Sequence, residues 1–121
     1  MALPSPRYDP RALATVDDFL SLDVRAGTVL SARPNRGALR PAYALTIDFG
    51  PLGQKTASAA IAGLYDVEDL VGLQVLAVIN LPPKRVASLD SEVLVLAVDD
   101  SRGENVLLIP ERPVPDGGKV T

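Results

Sequence analysis

The sequence predicts an all-β domain with short helices, in which five strands close into a barrel. Two observations carry this expectation. Five runs of strand length, rich in apolar residues, are separated by turns containing Pro, Gly or Asp. Their order is three runs, one short helical connection, then two more. A third observation bounds it. With 121 residues, 47% hydrophobic and 22% charged, the chain can bury one modest core and does not have the composition of a disordered protein.

Residues 1–14 read as a loose lead-in, because Pro4, Pro6 and Pro10 are spaced too closely for a helix. The domain proper is expected over residues 15–121. Thr15 is a natural N-cap for a short helix through Leu20, with Asp17 and Asp18 in the first turn, where the helix dipole favours acids. Phe19 and Leu20 are expected to pack on the barrel or on a partner chain.

The first strand is predicted over residues 22–30, alternating apolar and polar in its first half. Gly27 inside it suggests a bulge or strong bend, which would let the strand curl. Residues 31–40 read as a loop holding Arg33, Arg36 and Arg40 and no acid. Residues 43–49 form the second strand, residues 50–53 a turn, and residues 55–61 a third strand of small side chains. Asp66 caps one helical turn that stops at Gly72.

The fourth strand is placed at residues 73–81 and the fifth at residues 93–98. Between them, Pro82 and Pro83 end regular pairing, since neither can donate a ladder hydrogen bond. Lys84 and Arg85 follow, so residues 80–91 form a rigid basic loop. Residues 99–103 read as a hairpin connection into residues 106–109, and a tail rich in Pro and Gly extends over the surface as a C-terminal strand extension. This order matches the five-stranded OB-fold barrel, whose 2–3 face and 1–2 and 4–5 loops are its usual binding surface. Those two loops are the locally basic segments of a chain with net charge −3.

Composition excludes several function classes. No cysteine or histidine is present, so thiolate catalysis, zinc-thiolate sites and the commonest neutral-pH base are absent. No nucleophile elbow or phosphate-cradling glycine motif appears. A non-enzymatic protein without cofactor or metal is expected. No apolar run is long enough to span a membrane, and the N-terminus lacks a signal-peptide pattern, which points to a soluble cytoplasmic protein.

Arg33, Arg36 and Arg40 suit phosphate contacts, or else a solvated loop. Lys84 and Arg85, held by the prolines, suit phosphate or an acidic peptide segment. Ser91 and Glu92 could accept hydrogen bonds from a base edge or a ribose hydroxyl. Alternatively, Glu92 pairs with Lys84, Arg85 or Lys55 and fixes the loop. With aromatics at 4% and no tryptophan, stacking on bases is poorly supplied. Tyr43, Tyr65, Phe19 and Phe49 are therefore read as core or interface residues. The consecutive apolar positions at 93–98 and 106–109 want cover on both faces, and a second chain is the simplest cover.

Several stretches, in order, resemble the CsaA-type tRNA-binding domain. They are Phe19-x-x-Leu22-Asp23-Val24-Arg25-x-Gly27-Thr28-Val29, Pro41-Ala42-Tyr43-x-Leu45-x-Ile47-Asp48-Phe49-Gly50, Lys55-x-x-Ser58-Ala59-x-Ile61, Asn80-x-Pro82-Pro83-Lys84-Arg85-Val86-Ala87 and the strand from Ser91-Glu92. The resemblance implies an OB-fold homodimer related to tRNA-binding modules of some aminoacyl-tRNA synthetases, within a family whose namesake is described as an export-related chaperone. It also implies a ligand face containing Lys55, Ser58, Asn80, Pro82, Ser91 and Glu92. The chain departs from the pattern at Ala60, Ala62, Gly63, Leu64 and Asp90, losing hydroxyl, amide and positive groups from that face. The expected partners are therefore a second copy and unfolded or pre-export polypeptide, with tRNA as the alternative.

Overall fold

The structure is a computed structural model and describes residues 9–121. Residues 1–8 of the expected lead-in lie outside the described residues. The first element is α1 (Val16–Leu20). Thr15 caps it as expected: its hydroxyl accepts from the Asp18 N–H at 3.2 Å, and the Asp18 carboxylate accepts from the Thr15 N–H at 2.8 Å. No residue of α1 is buried, and Phe19 and Leu20 remain 42% and 45% exposed. The expected packing of these two on the barrel is not seen.

Five antiparallel strands form the main sheet: β1 (Val24–Pro34), β2 (Tyr43–Asp48), β3 (Gln54–Ala59), β4 (Gln74–Val78) and a short β7 (Leu94–Val95), in the spatial order β3-β2-β1-β4-β7. Strand β1 is the hub. Its first half pairs with β4 and its second half with β2. Curling this sheet brings β3 against the β7 end, where the Glu92 N–H donates to the Thr56 carbonyl at 2.9 Å. The result is the nearly closed five-stranded barrel that the strand order predicts. Its core is filled by Phe49, Leu45, Ile47, Leu70, Val29 and Val75, all nearly inaccessible.

Two expectations about β1 are corrected. The strand runs on to Pro34, so Arg33 lies on a strand opposite Ala44 and not in the loop. The register shift lies between Val29 and Ser31, not at Gly27. Gly27 is needed for space: a Cβ there would sit 2.7 Å from the Ile47 and Phe49 side chains. The short helix α2 (Val67–Leu70) follows Asp66 as predicted and plugs the barrel with Leu70.

The second half differs more. The expected loop at residues 80–91 contains a small hairpin, β5 (Lys84–Val86) paired with β6 (Leu89–Ser91). The expected fifth strand at residues 93–98 breaks in two. β7 stays on β4, while β8 (Ala97–Asp99) leaves to pair with β9 (Asn105–Leu107). The break falls at Leu96, where three backbone bonds form a closed triangle. Leu96 donates to Leu76, Leu76 to Leu108, and Leu108 to Leu96, at 2.9, 3.3 and 3.1 Å. Every carbonyl and N–H of the junction is thereby paired without a continuous ladder.

The tail does more than cover the surface. It returns to the first strand, with Gly117 donating to the Ala26 carbonyl at 2.7 Å, Ala26 to Gly118 at 2.9 Å and Val120 to Val24 at 2.9 Å. Asp116 and Gln74 clamp the approach, since the Thr28 hydroxyl donates to Asp116 at 2.6 Å and Gln74 Nε2 to the Val114 carbonyl at 2.6 Å.

Candidate binding face

Side chains alternate along β3, so Lys55 shares a side with buried Ala57 and Ala59, while Thr56 and Ser58 share the outer side. The β5–β6 hairpin folds over that outer side. Its position is set by Asn35, the only buried polar residue among the described residues. Asn35 Nδ2 donates to Ser58 Oγ at 2.9 Å and to the Val86 carbonyl at 3.2 Å. One amide thus ties the 1–2 loop, β3 and the hairpin together.

Ser91 and Glu92 form the seam of the barrel. Ser91 Oγ accepts from the Ser58 N–H at 2.9 Å and donates to the Val93 carbonyl at 3.2 Å. Glu92 Oε1 accepts the Thr56 N–H at 3.0 Å and its hydroxyl at 2.9 Å. These two Thr56 donors, the backbone N–H first, hold the Glu92 carboxyl below the usual glutamate range. The expected ion pair of Glu92 with Lys84, Arg85 or Lys55 does not form; Lys55 acts on it only through space. Arg85 pairs instead with Asp90 at 2.8 Å, both exposed.

Asn80 is placed away from the hairpin face. Its Oδ1 accepts from the Asp23 N–H and its Nδ2 donates to the Ser21 carbonyl, both at 2.8 Å. This amide clips the exit of α1 to the end of β4.

The structure brings Arg36, Arg40, Ser58, Pro82, Lys84, Arg85, Ser91 and Glu92 to a set of adjoining hollows. One of about 480 Å³ lies between Leu81, Pro82, Val93 and Leu94 on one side and Lys84, Val86 and Ser58 on the other. A second, of about 400 Å³, uses the same Ser58, Lys84 and Val86 wall and runs to Leu39 and Arg40. A third, of about 490 Å³, continues past Arg40 to Arg36. The first is apolar apart from its rim, and the other two are edged by guanidinium groups. Among the described residues, Arg33, Arg36 and Lys84 have no carboxylate within salt-bridge distance, and Arg40 bonds only the Gly103 carbonyl at 3.3 Å. Arg33 and Lys55 line none of the three hollows.

Sequence reasoning missed Asn35 and Thr56, the two residues that organise this face. Pro34-Asn35-Arg36-Gly37 reads locally as a turn, and nothing in it signals a side chain bonded to residues far along the chain.

A β3 surface overlaid by a hairpin, with residues 24–119 matching the family described as "Putative tRNA binding domain", is accompanied by close structural likeness. The crystal structure of the chaperone CsaA from Bacillus anthracis str. Ames superposes with a TM-score of 0.85 at 50% identity, covering 91% of this chain and 100% of that one. This chain belongs to the CsaA-type tRNA-binding domain family. The CsaA chaperone protein from Picrophilus torridus is also similar, with a TM-score of 0.83 at 37% identity over 90% of this chain and 100% of that one. A curated relative, the methionine–tRNA ligase of Porphyromonas gingivalis (strain ATCC 33277), is 38% identical over 106 residues, 86% of this chain. This chain spans only 15% of that ligase's length. The family is that of a binding domain, and no helix among the described residues is long and apolar enough to cross a membrane.

Proposed function

We propose that this CsaA-type domain, residues 15–121, is a non-enzymatic cytoplasmic chaperone that works as a homodimer and binds unfolded or pre-export polypeptide. One observation carries the reading. The hollow beside the hairpin is walled by Leu81, Pro82, Val86, Val93 and Leu94, while Ser58, Ser91 and Glu92 in its lining are already engaged within the chain and Lys84 alone is left without a partner among the described residues. An apolar cleft whose hydroxyls and carboxylate are spent suits side chains of an extended polypeptide better than base edges, which need free donors and acceptors. The similarity to two solved proteins named as CsaA chaperones supports the same reading.

The dimer rests on uncovered apolar area. Val98 and Val106 on the β8–β9 hairpin are 54% and 38% exposed, and Ile109 just beyond β9 is 50% exposed. Two copies would present two clefts to one extended client and gain avidity.

Arg33, Arg36 and Lys84, without carboxylate partners among the described residues, favour tRNA as the second reading. Light scattering of an aggregating unfolded client, with and without the protein, tests the first reading. Failure to slow aggregation at equimolar dimer removes it. A salt titration of labelled tRNA tests the second: phosphate contacts predict steep weakening between about 50 and 200 mM salt, and no binding even at low salt removes it.

A further inference from the structure

Resting on the polypeptide reading, the graded lining of the three hollows sets a client preference. We propose that the face selects extended segments that combine apolar residues with neighbouring carboxylates, and that it rejects apolar segments flanked by lysine or arginine.

Charge placement supports this preference. The chain as a whole carries −3, yet the hollows are bordered by Lys84, Arg36 and Arg40. Among the described residues, Glu92 is the only carboxylate that lines them. Its Oε1 already accepts two hydrogen bonds from Thr56 on the seam of the barrel. Asp90 is spent on Arg85, which removes one cation and one anion together. The apolar end at Leu81, Pro82, Val93 and Leu94 and the cationic end at Arg40 and Arg36 adjoin through the wall of Ser58, Lys84 and Val86. A segment whose apolar side chain fills the first hollow therefore meets Lys84 next and the arginines beyond. A carboxylate there finds unpaired donors. A cation meets like charge, and the acids closest to it, Glu92 and Asp90, are already engaged by Thr56 and Arg85.

The test uses the purified chain and fluorescence anisotropy of three labelled peptides. They share one apolar unstructured stretch and differ only in flanks of Glu, Ser or Lys. The expected result is tightest binding of the Glu-flanked peptide, about tenfold over the Lys-flanked one, a difference that shrinks with added salt. In the exposed-site double variant Lys84→Glu with Arg40→Glu, the order reverses, while the thermal midpoint checks that the barrel is intact. Equal binding of all three peptides overturns the preference and leaves the polypeptide reading standing. Binding of none overturns both. If total tRNA displaces the bound Glu-flanked peptide at about 150 mM salt, the basic rim is assigned to RNA and the preference falls.

Discussion

At the scale of single residues, Asn35 and Glu92 hold the candidate binding face in place. Replacing Asn35 with Ala leaves the Val86 carbonyl and the Ser58 hydroxyl without the donor that both use. A loss of about 1–3 kcal/mol is expected in urea unfolding, together with faster amide exchange in β5 and β6. Glu92 adds a dependence on acid. Its folded pKa is depressed, so the stability it contributes is present above the ordinary glutamate value of 4.5 and is lost as pH falls through the lower folded value. The thermal midpoint should therefore drop as pH falls below that ordinary value. In Glu92→Gln, which keeps an oxygen for Thr56 but cannot titrate, the curve should be flatter over the same interval. Parallel curves for the two proteins would show that Glu92 is not the group responsible.

At the scale of elements, β1 shows what local sequence conveys and what it does not. Its apolar alternation marks a strand, and the order of elements around it gives the barrel. Gly27 was legible as special but not for its reason, because a glycine that bends a strand and one that makes room for Phe49 look alike in sequence. Gly27→Ala, at a position without positive φ, should cost about 1–3 kcal/mol through overpacking alone. A neutral result in thermal unfolding would mean that Ile47 and Phe49 move aside without strain. The division of residues 93–98 into β7 and β8 was not legible either. Uninterrupted apolar residues suit one strand or two, and the choice is made by backbone bonds to Leu76 and Leu108. The same holds for the hairpin at Lys84–Val86 and Leu89–Ser91, whose turn sets Ala87 at a φ of 55°, a conformation no propensity assigns to alanine. The candidate binding face was legible as two basic loops. It was not legible that Ser91, Glu92 and Asn80 are already engaged, since their partners lie 33, 36, 57 and 59 residues away.

At the scale of the whole molecule, the uncovered apolar side chains of the β8–β9 hairpin set the expected assembly. Val98→Asp places a charge in the centre of that patch without touching the barrel core. Sedimentation at micromolar concentration should show a dimer for the parent chain and a monomer for the variant, with the folded spectrum unchanged. A parent chain that sediments as a monomer would remove the dimer, and a dimer that persists in the variant would move the seam elsewhere.

The return of the tail to the first strand bears on how the molecule is made. As the chain leaves the ribosome, Val24 to Ala26 emerge early, yet the backbone groups that pair with Gly117, Gly118 and Val120 must wait until those residues appear. Until then β1 carries an open edge of the kind that recruits foreign strands. Synthesis of a chain stopped at Pro113 should therefore yield aggregated product, and supplying residues 114–121 as a separate peptide should restore soluble protein.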